Sequence, residues 1–380
     1  MNPDGMNGPK VRAWLRTVTR RKIMDILRKR YRRKEDIGLL DTQIAGLDSA
    51  VFMLSWAPMF FQLLYMGPLW IIYSSLNKSN RLAWLALWIY YITNWVGQDY
   101  FSPQAMNFFY FLVILAIFIH WFRNTNPGEN WLTGNRFIQK IPFLSKFLGR
   151  VISGEVHYSE SASTAQKAIL LVMVVVIYFV SITSHQLTQF AILISLILLL
   201  LFQRITPRLV PVILLILSSM WIVYMASAYM SGRLAEMLQV FGNLDTALDA
   251  NLVNRMSGSP GHVIVTRIRL VVTLGIWLAA FAGFIRSWLR GRVELTAALL
   301  VAAPFPLLAM QSYGGEMLMR IFLFSLPLGA YLSAALIFPL KIDPPSWRYT
   351  AIIGVISVGL ISVFWLTRYG NERMEYFSPQ

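Results

Sequence analysis

The chain contains no cysteine among its 380 residues, and only 14% of its residues are charged. The absence of cysteine excludes disulfide bonds, a thiol nucleophile and any cysteine-ligated metal site. Only four histidines are present, and no two of them stand at the i, i+4 spacing that places two ligands on one helical face. The sequence also has no phosphate-binding glycine loop, zinc-protease helix or serine-hydrolase elbow. We therefore expect neither a metal nor a cofactor.

Apolar sequence is what the chain has in excess. Hydrophobic residues make up 56% of it, against about 45–50% in soluble proteins. They form continuous blocks without strand-like alternation, and a helix that crosses a bilayer needs about 20 such residues. The blocks predict an all-α, polytopic transmembrane helix bundle of about ten helices. They lie at residues 49–75, 82–96, 105–122, 167–184, 190–203, 207–228, 266–285, 294–311, 318–340 and 349–366.

Basic residues outnumber acidic ones by 34 to 18, which gives a formal net charge of +16. Lys and Arg collect in the cytoplasmic loops of membrane proteins and near anionic lipid headgroups. This explains the charge better than nucleic-acid binding does, so we expect membrane lipids as partners and no nucleic acid. The chain divides into a basic arm at residues 1–48 that is interfacial or disordered, a transmembrane helical domain at residues 49–366, and a C-terminal segment at residues 367–380.

The loops between the blocks alternate in charge, and this alternation predicts the orientation. Fifteen basic residues lie in or beside the loops after the first, third, fifth, seventh and ninth blocks, and seven lie in the other loops. The positive-inside rule places the first set in the cytoplasm. It also places residue 48 outside, although the basic arm prefers the inside. Three explanations stay open: an arm that lies outside, a re-entrant first block, or a chain that is a fragment lacking an upstream helix, which we favour.

Polar residues collect in four short turns on the predicted outer face, and we interpret them as a site and not merely as solvated caps. A longer loop at residues 229–265 joins this face. Besides Arg320, this face carries five arginines against the positive-inside trend, which favours either an anionic ligand there or only a partial translocation bias; they are Arg255, Arg267, Arg269, Arg368 and Arg373. The four turns span residues 97–104, 184–188, 313–320 and 369–373.

Asp99 follows a short block, so its carboxylate is expected at the membrane edge, where weak hydration favours a general base. Ser102 suits the N-cap of the next helix better than Asp99 does, because Pro103 then opens that helix. His185 can hydrogen-bond a phosphate, accept a proton, or simply extend to water at the interface. Glu316 and Arg320 stand four residues apart and can pair on one helical face, or Arg320 can hold a phosphate.

These observations give two groups of candidate residues. The candidate catalytic residues are Asp99, Glu316 and His185. The candidate substrate-binding residues are Gln98, Tyr100, Gln186, Arg320, Glu372 and Arg373.

Segments 94–104, 184–188 and 313–316 resemble those of large membrane proteins of actinobacteria and related bacteria, which are similar to the GT-C glycosyltransferases. The resemblance covers about residues 40–380. It implies a GT-C-like fold in the bacterial plasma membrane and transfer of a sugar from a polyprenyl-phosphate carrier to a glycan, lipid or protein acceptor at the non-cytoplasmic face. It also implies an acidic residue in the first outer loop as the base, with Arg, Lys or His groups on the carrier phosphate.

The sequence departs from that family pattern at its beginning. The family's acidic motif follows the first helix in a long outer loop, and no such loop stands near the start of this chain. The resemblance therefore assigns the base to no particular residue; if upstream sequence is missing, Asp99 would be a substitute or supporting group. The alternative functions are an O-antigen-type polymerase or ligase, a polytopic transporter or lipid flippase, and a non-enzymatic assembly protein.

Overall fold

The structure is a computed structural model, which describes residues 51–124, 139–142, 149, 162–225, 256, 259–309, 316–338 and 347–370. The predicted basic arm and the candidate residues Glu372 and Arg373 lie outside the described residues. The chain divides into two compact units, Met1–Met59 and Phe60–Gln380. Of the first unit, only the residues that begin the first helix are described.

The described residues are helical and contain no strand, which confirms the predicted all-α class. A π-helical turn, Trp221–Met225, and a 3-10 turn, Phe305–Ala309, are also present. The α-helices in the described parts of the chain are α1 (Val51–Leu76), α2 (Asn80–Thr93), α3 (Pro103–Trp121), α4 (Thr164–Ser184), α5 (Thr188–Leu201), α6 (Val210–Met220), α7 (Pro260–Leu289), α8 (Leu295–Ala302), α9 (Met317–Ile337) and α10 (Trp347–Tyr369).

Five of these helices, α1, α3, α4, α7 and α9, are long and apolar enough to cross a membrane. The short blocks at 82–96 and 190–203 form α2 and α5, with 14 residues each. A 14-residue helix is about 21 Å long at 1.5 Å per residue, less than the roughly 30 Å of a bilayer core. The apolar block at 82–96 runs past the end of α2, which stops at Thr93.

Serine residues mark where several helices begin. Ser79, Ser163 and Ser259 are the N-caps of α2, α4 and α7, and each side-chain oxygen accepts a hydrogen bond from a backbone N–H in the first turn. Ser102 is the N-cap of α3 and Pro103 opens that helix, as the sequence predicts, although the Ser102 side chain makes no capping hydrogen bond.

α9 is the most enclosed of the five long apolar helices, because 89% of an apolar stretch of 18 residues within it is buried. It packs against α2, α7 and α8. It approaches α7 tightly at Gly283, where an added Cβ atom would lie 1.9 Å from the carbonyl oxygen of Leu332. Small residues allow such close approach between helices in a membrane. α9 is therefore the central helix among these, and the polar side chains described below lie toward its two ends.

Candidate functional site

Residues 94–102 connect α2 to α3 without helical structure, and we call them the 94–102 segment. Because α2 has only 14 residues, this segment begins after fewer helical residues than a bilayer crossing needs. Two short-range backbone hydrogen bonds shape it, from Trp95 N to Thr93 O and from Gln98 N to Val96 O, both 2.9 Å long. These turns present the polar residues at 98 and 99 toward the neighbouring helices.

Three arginines from three helices hold the 94–102 segment. Arg269 of α7 lies over the Trp95 ring, 5.3 Å from its centroid. Arg320 of α9 donates to the side-chain oxygen of Gln98. Arg368 of α10 donates to the carbonyl oxygen of Val96 at 2.7 Å, and also to Asp99. The sequence places these arginines on one face and predicts an anionic ligand there; in the structure, each of them contacts this segment of the chain.

Asp99 is buried, with 4% of its surface exposed. Its Oδ1 atom forms an ion pair with Arg368, and its Oδ2 atom accepts a hydrogen bond of 2.8 Å from Gln62 Nε2. Both carboxylate oxygens are therefore engaged. Asp99 was expected at the membrane edge as a general base, but its geometry is that of a residue that fixes the segment. Neither Arg368 nor Gln62 was among the candidate site residues.

Glu316 and Arg320 form the ion pair that their i, i+4 spacing predicts, with Nη2 and Oε2 3.1 Å apart. The Arg320 side chain is 4% exposed and the Glu316 side chain is 40% exposed. The guanidinium is thus anchored within the protein, while the carboxylate reaches the surface. Glu316 is the more accessible of the two candidate catalytic carboxylates, Asp99 and Glu316. The glycines at 314 and 315, which precede α9 in the sequence, lie outside the described residues.

His185 lies in the turn between α4 and α5, outside both helices, and is buried with 9% of its surface exposed. Burial, and secondarily the charge of Arg320, lowers the pKa of His185 to about 4, so its imidazole is neutral near pH 7. This burial contradicts the interpretation that His185 extends to water at the interface.

The hydrogen bonds of His185 select its tautomer. The backbone N–H of Thr188 donates to Nδ1 at 3.2 Å, and the Thr188 hydroxyl lies 2.8 Å from the same atom. A backbone N–H requires a lone pair on Nδ1, so the proton of the neutral ring is on Nε2. Nε2 is buried and has no hydrogen-bond partner among the described residues. This arrangement favours a role as a hydrogen-bond donor over a role as a proton acceptor.

Hydrogen bonds between α3 and α4 fix the end of α4 that carries His185. Asn107 Nδ2 donates to Ser184 Oγ at 2.8 Å. Ser181 Oγ donates to Asn107 Oδ1 at 2.7 Å. Buried amide and hydroxyl groups joined in this way resist relative motion of the two helices. The position of His185 therefore depends on side chains in the preceding helix as well as on its own turn.

The remaining candidates are placed separately. Gln98 contacts Arg320, as described above. Tyr100 is exposed, and its hydroxyl donates to Gln104 Oε1 at 3.2 Å in the same turn. Gln186 is exposed, and its carbonyl oxygen accepts a hydrogen bond from Gln189. The described hydrogen bonds of Tyr100 and Gln186 are thus local and do not connect these residues to Arg269, Arg320 or Arg368.

Two residues of the group were missed although the sequence carried a signal for each. Gln62 is a lone amide within an apolar block, and polar side chains within membrane helices usually face a partner inside the bundle. Arg368 is a cation at the end of the last block, and the sequence interpretation did not include a buried acidic partner for it.

No family model matches the chain, and neither a curated protein nor a solved structure gives a significant match. Among the described residues, no group of three or more His, Asp or Glu side chains is placed to hold a metal ion. What the protein does is therefore argued from the geometry of this group of residues.

Proposed function

We propose that the protein is a GT-C-like glycosyltransferase of the bacterial plasma membrane. It moves a sugar from a polyprenyl-phosphate carrier to a glycan, lipid or protein acceptor at the non-cytoplasmic face. One observation carries this proposal. The cation Arg320 pairs with the accessible carboxylate of Glu316 and acts electrostatically on the buried His185, at the end of the bundle where the 94–102 segment interrupts the helices.

Sugar transfer from a phosphate carrier needs two kinds of group. A base removes the proton from the acceptor hydroxyl, and donors stabilise the negative charge that grows on the phosphate oxygen as it leaves. Glu316 supplies the base because its carboxylate reaches the surface. Arg320 and the Nε2–H group of His185 supply the donors. Asp99 and Arg368 hold the 94–102 segment in place for Gln98.

The reaction is a single displacement. The acceptor oxygen attacks the anomeric carbon and forms the new glycosidic bond, while the bond from that carbon to the phosphate oxygen breaks. Glu316 takes the proton of the hydroxyl, and the carrier leaves as a phosphate. Because the displacement occurs in one step, the configuration at the anomeric carbon inverts, which can be measured on the product.

The position of the 94–102 segment along α7 suits a lipid-linked donor. α7 has 30 residues and is about 45 Å long at 1.5 Å per residue, about 15 Å longer than a bilayer core. Arg269 is in its tenth position, about 30 Å from the other end of the helix at Leu289. Its contact with Trp95 therefore puts the 94–102 segment near one membrane edge, where a phosphate headgroup lies when its isoprenoid chain is in the bilayer.

The proposal is tested first in cells, by mass spectrometry of glycans and lipid carriers in a deletion strain. We expect a polyprenyl-phosphate sugar to accumulate and one glycan modification to disappear. The purified protein, given the accumulated donor in liposomes, should then transfer the sugar. An unchanged carrier pool together with an unchanged glycan profile would refute the transferase.

Variants test the assigned roles. Glu316→Gln and Arg320→Ala should each lower the transfer rate about 100-fold or more, the size of effect that positioned bases and charge-stabilising donors have in enzymes. Arg81→Ala, which removes an exposed arginine at the start of α2, is the matched control and should keep full activity. Full activity of Glu316→Gln would assign the base to another residue.

A further inference from the structure

A second set of buried polar side chains lies at the opposite end of the bundle, where α1 and α3 end and α8 begins. We call it the inner cluster. Its charged members are almost completely enclosed: Arg204 is 0% exposed, and Arg123 and Glu294 are each 6% exposed. Its members are Asn77, Arg123, Arg204, Glu294 and Tyr331. The proposed transfer reaction uses none of them.

The inner cluster joins parts of the chain that are far apart in sequence. Tyr331, on α9, is fully buried, and its hydroxyl lies within the electrostatic influence of Glu294, Arg123 and Asn77. Arg123 Nη1 reaches the carbonyl oxygen of Ser75 at 3.4 Å and thereby joins the ends of α1 and α3. The ends of these two helices and the start of α8 therefore surround one residue of the central helix.

Backbone hydrogen bonds close the same end. Arg123 and Ile205 form an antiparallel bridge between the chain that leaves α3 and the chain that leaves α5. On either side of it, Asn124 N donates to Arg204 O at 2.9 Å, and Thr206 N donates to Phe122 O at 2.8 Å. These bonds hold Arg204 beside Arg123 in the backbone. Separating the two connections would break the bridge as well as the side-chain contacts.

The two ends of the bundle differ in exposure. At the candidate site, the Glu316 side chain is 40% exposed, and Tyr100 and Phe101 are 49% and 58% exposed. Asp99 and Arg320 are buried at that end too, so the difference lies in Glu316: each charged member of the inner cluster is nearly inaccessible, and Glu316 is not. A buried charge separated from its partners is strongly unfavourable, and within a membrane it has no water to replace them. Admitting a ligand at the inner end therefore requires the separation of buried charges, whereas Glu316 is accessible without such a step.

We propose that the inner cluster is a permanent closure, so that ligands enter and leave this bundle only at the candidate-site end. A transporter must open each end in turn. A transferase needs access from one side only. The proposal goes beyond the transfer reaction, because it concerns the path that a ligand can take, whatever chemistry the other end performs.

Because the chain has no cysteine, a single introduced cysteine reports on this closure. Ser75 is 2% exposed and its oxygen lies 2.6 Å from His120 Nδ1, so Ser75→Cys places a thiol beneath the cluster. Lys78→Cys, three residues further and exposed, is the matched control. The reaction of each purified full-length variant with a charged thiol reagent is followed over time.

We expect Ser75→Cys to react about 100-fold more slowly than Lys78→Cys, because the thiol becomes accessible only through local opening. Saturating amounts of the polyprenyl-phosphate sugar found in the deletion strain should leave that rate unchanged. Adding Glu294→Gln should raise it at least tenfold; Tyr331→Phe, which removes only a hydroxyl, replaces that variant if Glu294→Gln elutes as aggregate.

Equal rates for the two cysteines, a rise on adding the donor, or no effect of the cluster variant would overturn the closure. The outcome is separate from that of the transfer assay. Slow labelling in a protein without transferase activity would keep the closure and remove the transferase. Rapid labelling of Ser75→Cys in an active enzyme would remove the closure and keep the transferase.

Discussion

Replacing Asp99 should destabilise the protein strongly, because its ion pair with Arg368 is nearly enclosed. The Arg368 and Asp99 side chains are 10% and 6% exposed. Removing one member of such a pair typically costs about 3–5 kcal/mol, since the other charge stays buried without its partner. Arg368 would keep its hydrogen bond to Val96 O, so we expect the lower end of this range, about 3 kcal/mol, for Asp99→Ala.

The free energy of unfolding can be measured by SDS titration in mixed micelles, with the fluorescence of the chain's 13 tryptophans as the signal. Glu316→Ala is the matched control, because it also removes a carboxylate from an arginine. The Glu316 side chain is 40% exposed, and pairs open to solvent contribute about 1 kcal/mol or less. Asp99→Ala should therefore shift the unfolding midpoint clearly further than Glu316→Ala.

A double-mutant cycle isolates the pair from the other contacts of each residue. Asp99→Ala also removes the acceptor of Gln62, and Arg368→Ala also removes the donor to Val96. The double variant should lose less unfolding free energy than the sum of the losses in the two single variants. The difference, which is the coupling energy, should be about 1–3 kcal/mol. Additive effects, or an Asp99→Ala protein as stable as the parent, would refute the assignment of this pair as an anchor of the 94–102 segment.

Three further outcomes follow from the packing and from His185. Gly283→Ala should cost about 1–3 kcal/mol of unfolding free energy because its Cβ meets Leu332 O, whereas Gly275→Ala, with nothing within 4 Å, should cost nothing. Asn107→Ala should lower the free energy of unfolding by about 1–3 kcal/mol. It should also lower the transfer rate without changing how that rate depends on pH. The pKa of His185 falls from 6.5 to about 4 on folding, so only the unfolded chain gains a proton between these values. Stability should then decrease from pH 6.5 toward 4, and His185→Gln should remove about 3 kcal/mol of that dependence.

The helical class and the positions of most helices follow from the sequence, because continuous apolar blocks have few other solutions in a bilayer. Local rules also located one boundary well: Ser102 and Pro103 begin α3 as expected. The end of α2 was placed too late. Trp95 and Val96 continue the apolar run but belong to the 94–102 segment, where burial against other helices replaces helical hydrogen bonding.

The candidate site was only partly accessible to such rules. The contact between Glu316 and Arg320 follows from their spacing along one helix. The contact between Asp99 and Arg368 joins residues 269 positions apart, so no local pattern contains it. The tautomer of His185 depends on a backbone N–H three residues away, at Thr188, and therefore on how the chain turns into α5.

The enclosure of α9 also constrains how the protein is assembled during synthesis. The ribosome makes α9 after α2, α7 and α8, the helices that surround it. Those helices must therefore enter the bilayer with a gap between them that lipid occupies at first. Arrival of α9 displaces that lipid and brings Arg320 and Tyr331 to the two polar groups at once. A ribosome that stalls before residue 317 would therefore leave a chain with most of its apolar helices made and neither polar end assembled.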